Sequence, residues 1–180
     1  MFDSHCGFIC DIKINMHKLE IRVAQALDLE SLNDMMFRLH DEHHHQCPEH
    51  FKTAEDIEQE KSIARYLDDP ECIVLIAFED QRVVGFVSGH FCELISSVSK
   101  PVQMGSIDEL YVLPECRKSG IAKQLCKSIE QRFDDYGVKQ IFVEVWNFNS
   151  NALDFYKELG FEHHILSLIH ISEPTRQSSI

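Results

Sequence analysis

Apolar positions recur along this chain in two rhythms, and each change of rhythm marks an element. Leu19, Ile21 and Val23 fall two apart within residues 16–24, which predicts a first strand with those three on one face. From Leu29 the spacing becomes helical, with Leu32, Met36 and Leu39 completing one stripe, Asp28 as N-cap and an end near His40. A polar, histidine-rich connection over 41–52 comes next. Thr53 then opens a second helix, with Asp56 in the reciprocal place of a capping box and Ile57, Ile63, Ala64 and Leu67 carrying it towards Pro70. Residues 73–78 and 83–91 are β-rich runs separated by the tight turn Glu79-Asp80-Gln81, hence a hairpin.

A Ser-rich loop leads into 105–122, where a strand meets a helix. Ile107, Leu110, Tyr111, Val112 and Leu113 make an apolar run that Pro114 ends, and Ile121, Leu125, Ile129 and Phe133 then repeat at helical spacing up to Gly137. Residues 140–146 predict another strand. A helix over 151–159 carries Ala152, Phe155, Tyr156 and Leu159, Gly160 ends it, and Phe161 begins a last strand. The order is β-α-α-β-β-β-α-β-α-β, an α/β arrangement of one mixed sheet covered by helices.

The turn Arg117-Lys118-Ser119-Gly120-Ile121-Ala122 is the first candidate for chemistry. A helix start leaves backbone N–H groups without partners, and its dipole favours an anion. Gly120 removes a side chain that would hold a phosphate away, and Arg117 and Lys118 add positive charge. A diphosphate fits this turn, although it has neither the P-loop nor the dinucleotide-binding pattern.

The same turn resembles the R/Q-x-x-G-x-G/A motif of the GNAT-type acetyltransferase superfamily, and residues 149–161 resemble that family's N-x-x-A-x-x-F-Y-x-x-x-G-F signature. The resemblance covers about residues 19–165. In wording, Leu110-Tyr-Val-Leu-Pro-Glu and Val145-Trp-Asn147 are most similar to the diamine and polyamine acetyltransferase branch. It implies a mixed, mostly antiparallel sheet flanked by helices and a cytoplasmic N-acetyltransferase that uses acetyl-CoA. Acetyl transfer would go directly to a primary amine of a small cationic molecule or to another amino group, a protein N-terminus included. Backbone groups of Leu110 and Val112 would bind pantetheine, amides of Lys118, Ser119, Gly120, Ile121 and Ala122 the pyrophosphate, and Asn149 the pantetheine region. Tyr156 would protonate the departing thiolate. Asp108 or Glu109 would deprotonate the amine, and the choice stays open because neighbouring strand residues face opposite ways unless a bulge redirects one. The alternative is a non-catalytic acyl-CoA-binding module of the same fold.

Composition narrows the rest. At 180 residues, 44% hydrophobic and 26% charged, the chain reads as one soluble domain. A formal charge of −13 argues against nucleic acid as a partner. No apolar run approaches membrane-spanning length, and Asp3 and Asp11 do not suit a signal peptide. Seven cysteines without a CxxC pair suggest thiols in a reducing compartment. The run His43-His44-His45, with Cys47 and His50 nearby, invites a metal reading, but consecutive histidines point in different directions, so no metal is expected. Seven acids against one lysine over 41–60 could attract a cationic substrate. Oligomeric state is open, a homodimer included.

Both ends read differently from the middle. Residues 1–15 show no period and are expected to be an upstream extension, with Met16 as the true start. Residues 166–176 correspond codon for codon to a translated transposase sequencing adapter. Residues 166–180 are therefore expected to be read-through, with an apolar character that could still form a strand.

Overall fold

The computed structural model describes residues 19–95, 97, 98 and 100–169. The first compact unit extends to Glu144 and holds the sheet. Its strands are β1 (Glu20–Val23), β2 (Cys72–Glu79), β3 (Arg82–Leu94), β4 (Val102–Val112) and β5 (Gln140–Val143), in spatial order β1-β2-β3-β4-β5. The first three neighbour pairs are antiparallel and β4–β5 is parallel. This is the mixed, mostly antiparallel sheet that the sequence predicts.

Between β1 and β2 lie α1 (Leu29–Gln46), α2 (Ala54–Glu60) and α3 (Ile63–Asp68); α4 (Ile121–Asp135) joins β4 to β5. The α4 stripe is fully buried at Leu125, Cys126, Ile129 and Phe133, and the sheet buries Leu75, Ile76, Val84, Phe86 and Val87 on its two faces. Tight approach is written into the sheet. A Cβ on Gly105 would meet the Phe133 ring at 2.7 Å, so only glycine leaves room for that ring.

Three expectations about the helices change. The helix α1 continues through His43-His44-His45 to Gln46 instead of stopping near His40. Tertiary contacts hold the extra turns: Glu42 accepts from Tyr111 and Arg117, and His43 stacks on Phe51 at 5.3 Å. The expected second helix is two helices broken at Lys61 and Ser62. Thr53 caps the first by accepting from the Asp56 amide at 3.2 Å, and the Ser62 hydroxyl accepts from the Ala64 amide at 3.3 Å to cap the second. Asp28 is N-cap by position, but its carboxylate is taken by Arg22 at 2.8 Å and by the Gln25 amide.

In β1, Val23 is 49% exposed, so the expected one-sided alternation is not kept there. The 16–18 part of that strand, the 1–15 extension and residues 170–180 lie outside the described residues. Among the described residues, no helix is long and apolar enough to cross a membrane.

The second unit begins at Val145. It contains α5 (Ser150–Glu158), capped by the Asn149 side chain, which accepts from the Ala152 amide at 3.1 Å. Trp146 falls after β5 rather than in it, and its ring stacks on Phe148. No strand forms over residues 161–169, and Leu166, Leu168 and Ile169 are exposed.

Candidate active site

Strand parity explains how the site forms. A Cβ on Gly89 or on Gly105 would point at Phe133 of α4, so Ser88, His90 and Ser106, each one residue away, face the other side of the sheet. Plain alternation would put Asp108 on that side and Glu109 with α4. The register prevents this: Ser88 pairs with Glu109 but Gly89 pairs with Ile107. Asp108 is an extra residue without a partner on β3, a β-bulge. It resets the parity, and both carboxylates face the side opposite α4. Asp108 and Glu109 therefore line one open cleft of about 450 Å³, together with Lys61, Tyr66, His90 and Glu144. The cleft lies where β4 leaves β5, since their pairing ends at Ile107 and Val143 while β4 runs on to Val112.

The two acids have different partners. Asp108 accepts from the Ser106 hydroxyl at 2.8 Å through one oxygen and faces His90 Nδ1 at 2.8 Å through the other. Glu109 is 7% exposed, accepts from the Ser88 hydroxyl at 2.7 Å, and holds the Lys61 ammonium on its second oxygen. Tyr66 completes the wall. Burial, with the Glu109 and Asp108 carboxylates next to it, pushes its phenol well above the usual range, so it stays protonated.

The turn after β4 forms an N–H cradle. Lys118 has φ of 62° and Gly120, at the start of α4, has φ of 87°, two left-handed residues that turn successive amides to one side. A Cβ on Gly120 would meet nothing within 4 Å, so glycine is needed here for its φ rather than for room. Arg117 does not add its charge to this cradle as expected. Its Nε donates to the Val112 carbonyl at 2.9 Å, its terminal nitrogen reaches Glu42 at 2.7 Å, and its guanidinium lies over the Tyr111 ring. The Val112 carbonyl is therefore occupied from within the chain. Burial and Glu42 push the Tyr111 phenol up to about 12.

In the second unit Tyr156 is buried, with its ring 5.1 Å from Phe155 and 5.3 Å from Phe161. Asn149 spends its side-chain oxygen on the cap, and its amide nitrogen is not part of that bond.

The acetyltransferase (GNAT) family model matches residues 36–161, well over half of the chain. The chain belongs to the GNAT acetyltransferase family. An acetyltransferase of Vibrio fischeri with a solved crystal structure is 58% identical at a TM-score of 0.60, over 71% of this chain and 97% of that one. An uncharacterised N-acetyltransferase of Mycobacterium tuberculosis is 29% identical over 117 residues, 64% of this chain and 70% of its own length. An aminoglycoside N-acetyltransferase solved with CoA shares the fold, with a TM-score of 0.66 at 17% identity over 88% and 97% of the two chains. The expected enzyme class, an N-acetyltransferase, stands. Structures of this family bind CoA.

Within this GNAT chain, sequence reasoning missed the cleft residues Lys61, Tyr66 and His90, and with them Ser88, which is fully buried and donates to Glu109. Ser88 and His90 left a signal, as polar positions two apart in an otherwise apolar strand. Lys61 and Tyr66 left none, since only tertiary structure brings α2 and α3 to β4.

The histidines of α1 go to separate partners. His44 Nδ1 meets the Phe51 carbonyl and His45 Nδ1 the Asp41 carbonyl, so the three do not converge. Cys47, Glu49 and His50 do come within 4.8 Å of one another in the turn beyond α1, on an open surface. His40 Nε2 is buried with no partner, and burial holds the His40 and His43 imidazoles below their usual range. Both are neutral in the fold and would gain a proton on unfolding. Their stabilising contribution is present above the unfolded value of about 6.5 and is lost as pH falls towards the folded values. Melting temperature is thus expected to fall from pH 7.5 to 5.5. His40→Leu should flatten that slope in part, as thermal melts across the range would show; an unchanged slope would refute the His40 contribution.

Proposed function

We propose that the chain transfers the acetyl group of acetyl-CoA to a primary amine of a small cationic molecule. The bulge at Asp108 carries this reading: it turns Glu109 into the cleft that Asp108 and the His90 imidazole already face, at the mouth of the β4–β5 splay. The cradle at 118–122 suits the pyrophosphate, the outer backbone groups of Leu110 and the Val112 amide suit pantetheine, and Asn149 keeps the pantetheine role its motif position suggests. None of these roles calls for a metal. The likeness to a bovine thialysine N-epsilon-acetyltransferase, 35% over 54 residues, favours a small free amine as acceptor.

The proton route follows from the hydrogen bonds. Glu109 is buried and engaged on both oxygens by Lys61 and Ser88. Asp108 instead orients an imidazole, leaving His90 Nε2 to accept a proton, as in other carboxylate–histidine pairs. The amine nitrogen attacks the thioester carbonyl and loses its proton to His90. The C–S bond then breaks, and the thiolate takes a proton from Tyr156, the role its motif position suggests. A phenol is protonated at neutral pH and can donate, which suits this role. Tyr156→Phe is expected to lower kcat about 100-fold with little change in KM for acetyl-CoA, followed by thiol release. Unchanged turnover would remove Tyr156 from the mechanism.

A further inference from the structure

The acceptor cleft already holds an ammonium. Lys61 Nζ donates to Glu109, and the Tyr66 ring centroid is 5.8 Å from the same nitrogen. A carboxylate 7% exposed, a hydroxyl that fixes its other oxygen and an aromatic face together make a built cation subsite. Its occupant comes from the chain itself.

We propose that Lys61 fills a second ammonium subsite and thereby sets specificity: the cleft admits amines with a single ammonium and excludes α,ω-diamines. The proposal rests on the cleft being the acceptor site and names which amines that site takes.

Charge and tethering both point this way. With Lys61 in place, Glu109 is neutralised and offers nothing to a second positive charge. A diamine would have to displace a side chain present at high local concentration. The tether is short and well fixed. The Lys61 amide donates to the Ile57 carbonyl at 2.8 Å to close α2, and Ser62 immediately caps α3. A free dication must compete with a group pinned between two helix ends. Removing the Lys61 charge while keeping its stem would leave Glu109, Ser88 and Tyr66 as an open cation site beside the Asp108–His90 pair.

Calorimetric titration of the full chain with propylamine, butylamine and pentylamine, and with the matching α,ω-diamines, tests this without requiring turnover. Lys61→Met should raise diamine affinity relative to monoamine about ten- to hundredfold, the worth of one charge-assisted hydrogen bond. Lys61→Arg should keep the wild-type ratio. Lys61→Met with Glu109→Gln, which removes both partners and tolerates burial better than one stranded carboxylate, should lose the gain.

A wild-type diamine-to-monoamine ratio in Lys61→Met, or no diamine binding by it, would overturn the proposal. A second measurement needs no variant: reductive methylation of Lys61 in the wild-type chain, read by peptide mass spectrometry, with and without diamine. Lys61 should stay equally protected at every diamine concentration; labelling that rises as the diamine binds would show that Lys61 yields, and would refute exclusion. Failure of every amine to release CoA from acetyl-CoA would count against the transferase reading, while the binding ratios decide Lys61 separately.

Discussion

Asp108→Asn is expected to lower kcat by about 10²–10⁴-fold, the usual range for disabling a general base, with KM for acetyl-CoA little altered. Asparagine keeps the volume and can still accept from Ser106 at one oxygen, so the fold should survive. What is lost is the negative charge facing His90 Nδ1, the charge that steadies the imidazolium formed when the amine gives up its proton. Glu109→Gln provides the contrast. Its carboxylate is buried between Ser88 and Lys61, so its loss should appear mainly in melting temperature and in the amine selectivity argued above. Steady-state kinetics of the two variants side by side decide the assignment. A larger kcat loss in Glu109→Gln than in Asp108→Asn would reverse it.

Gly89→Ala is expected to destabilise the chain by about 3 kcal/mol or more, the upper part of the range for forced overpacking. A Cβ at this position would collide with the Ser106 carbonyl oxygen and sit 3.0 Å from Ile129 Cδ1 and 3.2 Å from Phe133 Cζ. Backbone cannot move aside as a flexible side chain can. The collision also falls at the bulge, between the Ser88–Glu109 and Gly89–Ile107 pairs. For a domain of this size, melting temperature should drop by roughly 10 °C. Turnover should fall further than stability alone requires, because Ser106 and His90 both hold Asp108. A melting curve matching wild type would mean that β3 and β4 are not as close there as described.

Local signals carried most of the fold. The hairpin turn at Asp80 and Gln81, the helix that follows Gly120 and the stop of α5 before Gly160 each depend on neighbours in sequence, and each was legible. Elements whose limits depend on distant partners were misjudged. The histidine-rich end of α1 has weak helix propensity and is helical against Tyr111, Arg117 and Phe51. The site divides the same way. Asp108 and Glu109 could be named from one strand, but whether both face the cleft depends on a register with β3 that the β4 sequence alone does not contain. Arg117 shows the limit most clearly: a basic residue beside an anion cradle invites a role there, yet Glu42, seventy-five residues away, claims its guanidinium.

The bulge has a consequence for how this enzyme can change. Because Asp108 is an inserted count in β4, the strand before it and the strand after it are in opposite phase. Deleting Asp108 itself would restore plain alternation, with Ser106, Glu109 and Tyr111 all keeping their face, and would remove only the carboxylate that faces His90. Substitutions can adjust the acceptor site one side chain at a time, whereas the loss of one residue from β4 leaves every other side chain on its own face only at the bulge.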